Sequence, residues 1–204
     1  KVKRVNINKQ IIIVDDGSID RTGEILEKVK HGDIRIIQHA KNQGKGAAIR
    51  TAISYVEGEV TIIQDADLEY DPEDYHRLIR PITEGKAEIV YGSRFLKFNK
   101  AIYLRYVLGN RFLTWVINRL YRSRITDSYT CYKAFKTEVL RNLTLRSKRF
   151  EFEAEVTVKS LKKGYEIQEV PISYSPRTLR EGKKIGWKDA LLGLLTIVKH
   201  KFIE

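Results

Sequence analysis

The chain has 204 residues, of which 42% are hydrophobic and 31% charged, and this composition predicts one globular domain over residues 1–204 with a sizeable core. The single cysteine, Cys131, excludes an intrachain disulfide bond and favours a reducing compartment, and no apolar stretch approaches the roughly 18–20 residues that span a bilayer. The net charge of +12 favours a polyanionic partner, which would be nucleic acid, an acidic membrane or a phosphorylated substrate.

The first half of the chain alternates short apolar runs with helical patterns. Strands are predicted at residues 10–14, 34–38, 60–64 and 87–91, and helices begin near Thr22, Ala47 and Pro72. This alternation predicts an α/β fold with a mostly parallel sheet that is covered by helices on both faces. In the second half, strands are predicted at residues 131–135 and 165–174, with a helix over residues 150–162 between them.

Each strand of the first half is followed by polar residues. These are Asp15 and Asp16, the loop of residues 42–46, Asp65 with Asp67, and residues 92–94. Ligands of parallel α/β sheets bind outside the carboxyl ends of the strands. The four polar segments are therefore expected to converge on one edge of the sheet.

Asp65 and Asp67 form an acid pair directly after the third strand. Alternate residues of an extended chain point to the same side, so both carboxylates are expected to face one crevice. Two such acids repel each other unless a cation lies between them. A hard divalent ion with few carboxylate ligands completes its shell with phosphate oxygens, which predicts a metal–diphosphate site. The alternative is an acidic turn after a strand.

Positive charge is concentrated in one window of the second half. Between Glu88 and Asp127 there is no acidic residue, while eight basic residues alternate with large apolar ones. A solvated face usually carries charges of both signs, so a window of one sign indicates a surface that meets another molecule. The basic residues are Arg94, Lys97, Lys100, Arg105, Arg111, Arg119, Arg122 and Arg124.

Two amphipathic helices are predicted, one over residues 102–121 and one that closes the chain. Aromatic residues on the apolar side and basic residues on the polar side are typical of helices in a membrane interface. The alternative is that both apolar stripes pack on the sheet as ordinary core. The first helix is predicted with Leu108, Phe112, Trp115, Val116 and Leu120 opposite Arg111, Thr114, Asn118 and Arg122. The second is predicted with Trp187, Leu191, Leu194, Leu195, Val198 and Phe202 opposite Lys188, Thr196, Lys199 and Lys201.

The motifs resemble those of a known family. Ile-Val-Asp-Asp-Gly-Ser (13–18), Asn-Gln-Gly-Lys-Gly-Ala-Ala (42–48), Asp-Ala-Asp (65–67) and Gly-Ser-Arg (92–94) occur in one order, followed by residues 127–135 and by Arg177 with residues 182–184. Over nearly the whole chain this is similar to the family 2 inverting glycosyltransferases of the GT-A (Rossmann-like) fold. Within that family it resembles the polyprenyl-phosphate (dolichol-phosphate) mannose or glucose synthases.

The resemblance implies different roles for the two halves of the chain, and it implies a reaction. Residues 1–95 would bind the nucleotide sugar, and residues 96–204 would face the acceptor and the membrane. The implied reaction transfers a hexose from a GDP-mannose or UDP-glucose type of donor to a polyprenyl (dolichyl) phosphate, with inversion, at the cytoplasmic face of a membrane. The enzyme would be peripheral, or part of a longer membrane-anchored protein. The alternative within the family is an enzyme that extends a glycan or another hydroxyl acceptor.

The sequence departs from the family's pattern at several places. The family begins with a strand and a Tyr-Asn-Glu-type turn that hold the nucleotide base, and this chain is expected to lack both. Lys183 stands where a serine is usual, and Thr130 with Cys131 replaces the usual Ser-Gly pair after the aspartate of the acceptor loop. Many members also carry C-terminal membrane helices, and the residues up to Glu204 are not expected to include one.

The resemblance also implies roles for residues on the donor side. Asp15 and Asp16 would contact the nucleoside, with Lys45 and Gly46 beside it, and a ribose diol does favour carboxylate acceptors. Asp67, supported by Asp65, would bind Mg²⁺ or Mn²⁺ at the donor diphosphate. Asp65 would also contact the donor, and Arg177 and Lys184 would close over its phosphates.

The acceptor decides whether the reaction needs a general base. A sugar hydroxyl requires one, and Glu151 and Glu153 are the candidates. A phosphate acceptor is largely dianionic at neutral pH, since its second pKa is about 6, and it needs cations instead. Arg94 and Arg105 are the candidates for that role. Arg94, Asp65 and Asp67 are the predicted catalytic residues.

Two readings from other classes fit less well. A phosphoryl-transfer receiver domain or phosphatase also places aspartates at strand ends, but it gives no role to the basic second half. A nucleic-acid-binding protein would explain the +12 charge, yet no recognised nucleic-acid module is visible and acids lie where the strand-end site would be. Nucleic acid is therefore not expected as a partner.

Overall fold

The structure is a computed structural model that describes residues 1–29, 32–99, 104–177 and 186–203, with only the backbone of Arg105. The strands are β1 (Ile11–Asp15), β2 (Ile34–Gln38), β3 (Val60–Ile62), β4 (Ile89–Ser93), β5 (Lys133–Lys136) and β6 (Ile167–Pro171). The helices are α1 (Thr22–Val29), α2 (Lys45–Ile53), α3 (Tyr75–Thr83), α4 (Leu104–Tyr121), α5 (Thr137–Asn142), α6 (Phe152–Lys162) and α7 (Trp187–Phe202).

These elements confirm the predicted alternation of strands and helices. The short helix α5 follows β5 directly and was not predicted. The strand predicted at residues 60–64 ends at Ile62, so Asp65 and Asp67 lie beyond the strand rather than in it. Pro72 begins a 3₁₀ turn that leads into α3, as its fixed φ favours at a helix start.

The described strands form two sheets. In one, β1 pairs with β2 in parallel. The other has the order β3-β5-β4-β6, in which β5 is antiparallel to β3 and β4, whereas β4 and β6 are parallel. Two of the four pairings are therefore antiparallel, both of them made by β5, so the sheet is mixed. Since β3, β4 and β6 all run in the same direction, their carboxyl ends still share one edge.

The main core surrounds β4 and β5. Ile89, Tyr91 and Phe135 are fully buried there, and Phe152 of α6 packs into the same cluster. A second cluster lies between α4, α6 and α7, with Ile117 and Ile197 at its centre. The boundary proposed between residues 95 and 96 stays a prediction.

The buried face of the helix α4 is partly polar. Its buried face combines Leu113 and Ile117 with the polar Asn110 and Thr114. Thr114, which was predicted opposite the apolar stripe, is buried, because the polar atoms of this face find buried hydrogen-bond partners in the loop of residues 126–128.

The apolar stripes of α4 and α7 are split: Val116, Leu120 and Leu194 pack against the second cluster, and most of the remaining residues are exposed. Trp115 is 61% exposed and Trp187 73%, and the two helices contact each other. The large exposed apolar residues of this surface, called the α4–α7 apolar face below, are Leu104, Leu108, Phe112, Trp115, Trp187, Leu191, Leu192, Leu195, Val198 and Phe202. Within the described ranges, no helix has the length and apolar character that crossing a bilayer requires.

Candidate active site

The loop of residues 42–46 is attached to the end of β1 by Asp16. One oxygen of Asp16 accepts hydrogen bonds from the backbone N–H of Gln43 (3.0 Å) and lies 2.6 Å from Nδ1 of His39. The other oxygen accepts from the N–H of Gly44 at 2.7 Å. Burial raises the pKa of Asp16, but the His39 and backbone hydrogen bonds outweigh it and lower the pKa. Asp16 therefore fixes the loop as an anion.

Asp15 is the more buried of the two neighbouring acids. It accepts hydrogen bonds from the N–H of Ser18 at 3.0 Å and from Nε2 of Gln38 at 3.3 Å. Both predicted nucleoside ligands thus have protein partners that shape the ends of β1 and β2. Their contact with a nucleoside stays a prediction.

Two glycines allow the 42–46 loop to pack against the segment before α6. Gly44 has a φ of 97°, in the left-handed region that favours glycine. A Cβ on Gly46 would lie 2.5 Å from the carbonyl oxygen of Ser147, and the N–H of Ala47 donates to the carbonyl of Lys148 at 3.1 Å. The backbone at Gly46 therefore approaches this protein segment closely.

Lys45 connects this loop to the acid pair. Its Nζ lies 2.8 Å from Oδ2 of Asp65 and 2.8 Å from Oε1 of Glu153 in α6. Burial alone would lower the pKa of Lys45, but the two carboxylates outweigh it and hold the pKa well above its usual range. Two of the predicted polar segments are thereby confirmed to meet.

Glu153 also pairs with Lys133, a fully buried lysine of β5. Burial lowers the pKa of Lys133, and the attraction of Glu153 opposes that change. The Nζ of Lys133 lies 4.8 Å above the ring of Tyr91, a further favourable contact for a buried cation. Glu153, a candidate general base by its sequence position, is thus 4% exposed and bound to two lysines.

Asp67, the second member of the acid pair, pairs with Arg177. The Nη2 of Arg177 donates to Oδ2 of Asp67 at 2.8 Å, and its Nε lies 3.5 Å from Oε1 of Glu69. Burial raises the pKa of Asp67, and the nearby Asp65 and Glu69 carboxylates act in the same direction. Leu68, which lies between Asp67 and Glu69, has a φ of 63°, a strained backbone for a residue with a side chain.

Arg94, at the end of β4, forms a buried ion pair with Asp127. Its Nε and Nη2 donate to the two oxygens of Asp127 at 2.7 and 2.8 Å, and its guanidinium lies 5.1 Å from the centre of the Tyr174 ring. Asn110 of α4 donates to the same carboxylate at 2.6 Å. The positive charge of Arg94 is already neutralised here, so its role toward an acceptor phosphate stays a prediction.

Whether the acid pair fits a divalent cation can be judged from its ligands. In the part of the chain that the structure describes, no cluster of three or more His, Cys, Asp or Glu side chains is arranged around a metal position. Asp65 and Asp67 are close enough for their charges to raise the pKa of Asp67. Two hard oxygen donors that repel each other fit Mg²⁺ or Mn²⁺, provided that phosphate or water supplies the remaining ligands.

The structure thus gathers Asp65, Asp67, Lys45 and Arg177 at one edge, and Tyr174 and Glu69 connect this group to Arg94. Lys184 and the side chain of Arg105 lie outside the described residues. Sequence reasoning missed His39, Glu69 and the pairing role of Asp127. His39 is the first residue after β2, which is the one signal that could have indicated it.

Comparisons with known proteins place these features in a family. The model of the family described as "Glycosyl transferase family 2" matches residues 2–144. The UDP-N-acetylglucosamine–dolichyl-phosphate N-acetylglucosaminyltransferase of Methanococcus voltae is 31% identical, covering 86% of this chain and 79% of that protein. Glycosyltransferase AglJ of Haloferax volcanii is 29% identical, covering 82% of this chain and 54% of that protein.

A solved structure supports the same fold. Glucosyl-3-phosphoglycerate synthase from Mycobacterium tuberculosis, in complex with Mn²⁺, UDP and glucosyl-3-phosphoglycerate, superposes with a TM-score of 0.71 at 17% identity. The match covers 96% of this chain and 70% of that one. The predicted α/β fold of the GT-A type, with mixed sheets between helices, is confirmed. This chain belongs to glycosyl transferase family 2 and is a hexosyltransferase.

Proposed function

We propose that the enzyme transfers a hexose from a nucleotide-diphosphate sugar to a polyprenyl phosphate, with inversion at the anomeric carbon, at the cytoplasmic face of a membrane. The observation that carries this proposal is the α4–α7 apolar face. Monomeric proteins seldom expose contiguous apolar patches larger than a few hundred Å², and larger ones mark interaction sites. Arg111 and Lys188 are the chain neighbours of the exposed Phe112 and Trp187, and the Lys188 ammonium lies 5.9 Å from the centre of the Trp187 ring. This combination of apolar and basic residues favours a bilayer with anionic lipids.

The apolar face is physically linked to the loop that resembles the family's acceptor loop. On the buried side of α4, Asn110 donates to Asp127 and Thr114 is 2.7 Å from the hydroxyl of Ser128. The same helix thus presents Phe112 and Trp115 outward and holds this loop inward. A lipid phosphate has both a hydrocarbon tail and a charged head, and this arrangement can accommodate both.

The candidate bases Glu151 and Glu153 already have protein partners, and this also favours a phosphate acceptor. Glu153 is bound to two lysines, and one oxygen of Glu151 accepts from the N–H groups of Lys148 and Arg149 at the start of α6. An ionised phosphate oxygen needs no base. In the proposed reaction it attacks the anomeric carbon, the new C–O bond forms, and the bond to the nucleoside diphosphate breaks with its electron pair.

Several residues would assist departure of the nucleoside diphosphate. Asp65 and Asp67 would hold Mg²⁺ or Mn²⁺, which supplies Lewis-acid stabilisation of the charge on the leaving diphosphate. Lys45 and Arg177 are the described cations at this edge, and each can donate to phosphate oxygens. Support for a sugar nucleotide and a dolichyl phosphate as substrates comes from the name of the Methanococcus voltae relative, and support for UDP and Mn²⁺ from the synthase complex.

The proposal is tested by acceptor choice. Purified protein would be incubated with UDP- and GDP-hexoses, Mn²⁺ or Mg²⁺, and three acceptors in detergent, namely polyprenyl phosphate, unphosphorylated polyprenol and a free oligosaccharide. We expect product only with polyprenyl phosphate. Transfer to the oligosaccharide without transfer to the lipid phosphate would contradict the proposal and favour a glycan-extending enzyme.

A further inference from the structure

We infer that Lys45 and Arg177 make the acid pair selective for a metal–diphosphate complex over a free divalent cation. The inference rests on the proposed function, because it assigns the diphosphate of the donor to the same site. Each cation contacts one oxygen of the acid pair that could otherwise bind a metal. They therefore act as internal competitors that only an anionic donor can draw away.

The competition follows from the oxygens that are occupied. Oδ2 of Asp65 receives Lys45 at 2.8 Å, and Oδ2 of Asp67 receives Arg177 at 2.8 Å. The remaining oxygen of Asp67 accepts from the N–H of Glu69 at 3.1 Å. A divalent cation that binds Oδ2 of Asp65 or of Asp67 has to share that oxygen with the lysine or the arginine, or displace it.

Each competing cation is also held by a second, buried carboxylate. Lys45 bridges Asp65 and Glu153, and Arg177 bridges Asp67 and Glu69. Glu153 and Glu69 are 4% and 7% exposed, so they keep the two cations next to the acid pair when a metal arrives. The two halves of the site are built alike: Glu153 is the positioning residue for Lys45, and Glu69 is the positioning residue for Arg177.

The sign of the interaction changes with the ligand. A free divalent cation at the acid pair meets two fixed positive charges a few ångströms away, and in a partly buried site this repulsion is large. A nucleoside diphosphate brings several negative charges, which Lys45 and Arg177 can bind through charge-assisted hydrogen bonds. The same two side chains would therefore weaken binding of the metal alone and strengthen binding of the metal with the diphosphate.

The experiment measures binding of Mn²⁺ alone, and then with UDP or GDP, by isothermal titration calorimetry. The variants are Lys45→Met and Arg177→Met. Lys41→Met is the matched control, because it removes one exposed positive charge directly before the 42–46 loop. Circular dichroism checks that each variant is folded. Arg177 is the more exposed of the two and decides the outcome if Lys45→Met does not fold.

We expect each folded variant to bind Mn²⁺ alone at least about tenfold more tightly than the wild type, by removal of one nearby like charge. The enhancement of Mn²⁺ binding by the nucleotide should fall in both, and Lys41→Met should shift either affinity by less than about twofold, as expected for a screened surface charge. Unchanged or weaker Mn²⁺ binding in the variants, with a wild type that binds Mn²⁺ and nucleotide together, would overturn this inference and leave the proposed function intact. A wild type that binds no Mn²⁺ even with either nucleotide would overturn both.

Discussion

The guanidinium of Arg94 donates two hydrogen bonds to Asp127 in an interior where the carboxylate has no exposed surface. Removing one partner of a buried pair leaves an uncompensated charge, which typically lowers the free energy of unfolding by about 3–5 kcal/mol. We therefore expect Asp127→Asn to destabilise the protein by that amount in chemical denaturation. Asp71→Asn, at an exposed turn, is the control and should change stability by about 1 kcal/mol or less. A near-native midpoint for Asp127→Asn would refute the structural role of the pair.

The same pair predicts a pH dependence. Burial raises the pKa of Asp127, but Arg94 outweighs burial and the pKa in the folded protein is lowered. A carboxyl with a depressed folded pKa stabilises the protein above its unfolded pKa of about 3.9, and it loses that contribution as the pH falls through the folded value. The stability of the wild type should therefore drop below about pH 4. In Asp127→Asn this part of the acid limb should be absent, which denaturation at pH 3 and pH 6 can measure.

The convergence of strand-end loops could be predicted from the sequence, because parallel strands bring their carboxyl ends to one edge. The contact between Lys45 and Asp65 confirms that prediction for two of the four segments. What the sequence could not show is which side chains neutralise one another there. The partners of Lys45 and Arg94 lie far along the chain, at Glu153 and Asp127, and no periodic pattern marks such pairs.

The face of α4 that is buried could not be predicted from the sequence for a related reason. Leu108, Phe112 and Trp115 form a strong apolar stripe, and a pattern alone does not distinguish a stripe that faces the core from one that faces a partner. The buried face includes Asn110 and Thr114, whose polarity is compatible with burial only because the loop of residues 126–128 supplies partners. That loop's position is a tertiary property.

Asp67→Ala tests the metal assignment. Loss of a metal ligand removes several kcal/mol of stabilisation of the leaving diphosphate, so hexose transfer should fall by about 100-fold or more. The fold should remain, since Asp67 is near the surface and its partner Arg177 is partly exposed. Transfer assays with Mn²⁺ and thermal unfolding measure the two properties together, with Asp71→Ala as the control. Near-normal transfer by folded Asp67→Ala would exclude this residue as a metal ligand.

Gly46→Ala tests the packing of the 42–46 loop. The added methyl group would lie 2.5 Å from the carbonyl oxygen of Ser147, so the loop or the segment before α6 has to move. We expect a loss of about 1–3 kcal/mol in stability and weaker nucleotide binding, because Lys45 would shift with the loop. Gly109→Ala in α4 is the matched control, since nothing lies within 4 Å of its added Cβ. The control should be stabilised by about 0.5–1 kcal/mol, as expected for alanine in a helix, and equal effects at both glycines would contradict the packing argument.

The last prediction concerns the α4–α7 apolar face. Transfer of a large apolar side chain from water into an apolar phase contributes about 1.5–3 kcal/mol, so each exposed tryptophan that enters a bilayer should strengthen membrane binding by about tenfold or more. Trp115→Ser and Trp187→Ser should each weaken binding to vesicles with anionic lipids by this factor, in a flotation assay. Tyr55→Ser is the control, because Tyr55 is an exposed aromatic residue outside α4 and α7. Both tryptophan variants should keep their affinity for the nucleotide, since neither residue contacts the acid pair or its cations in the described structure. A protein that carries both Trp115→Ser and Trp187→Ser and still binds vesicles as tightly as the wild type would show that this face does not enter a membrane.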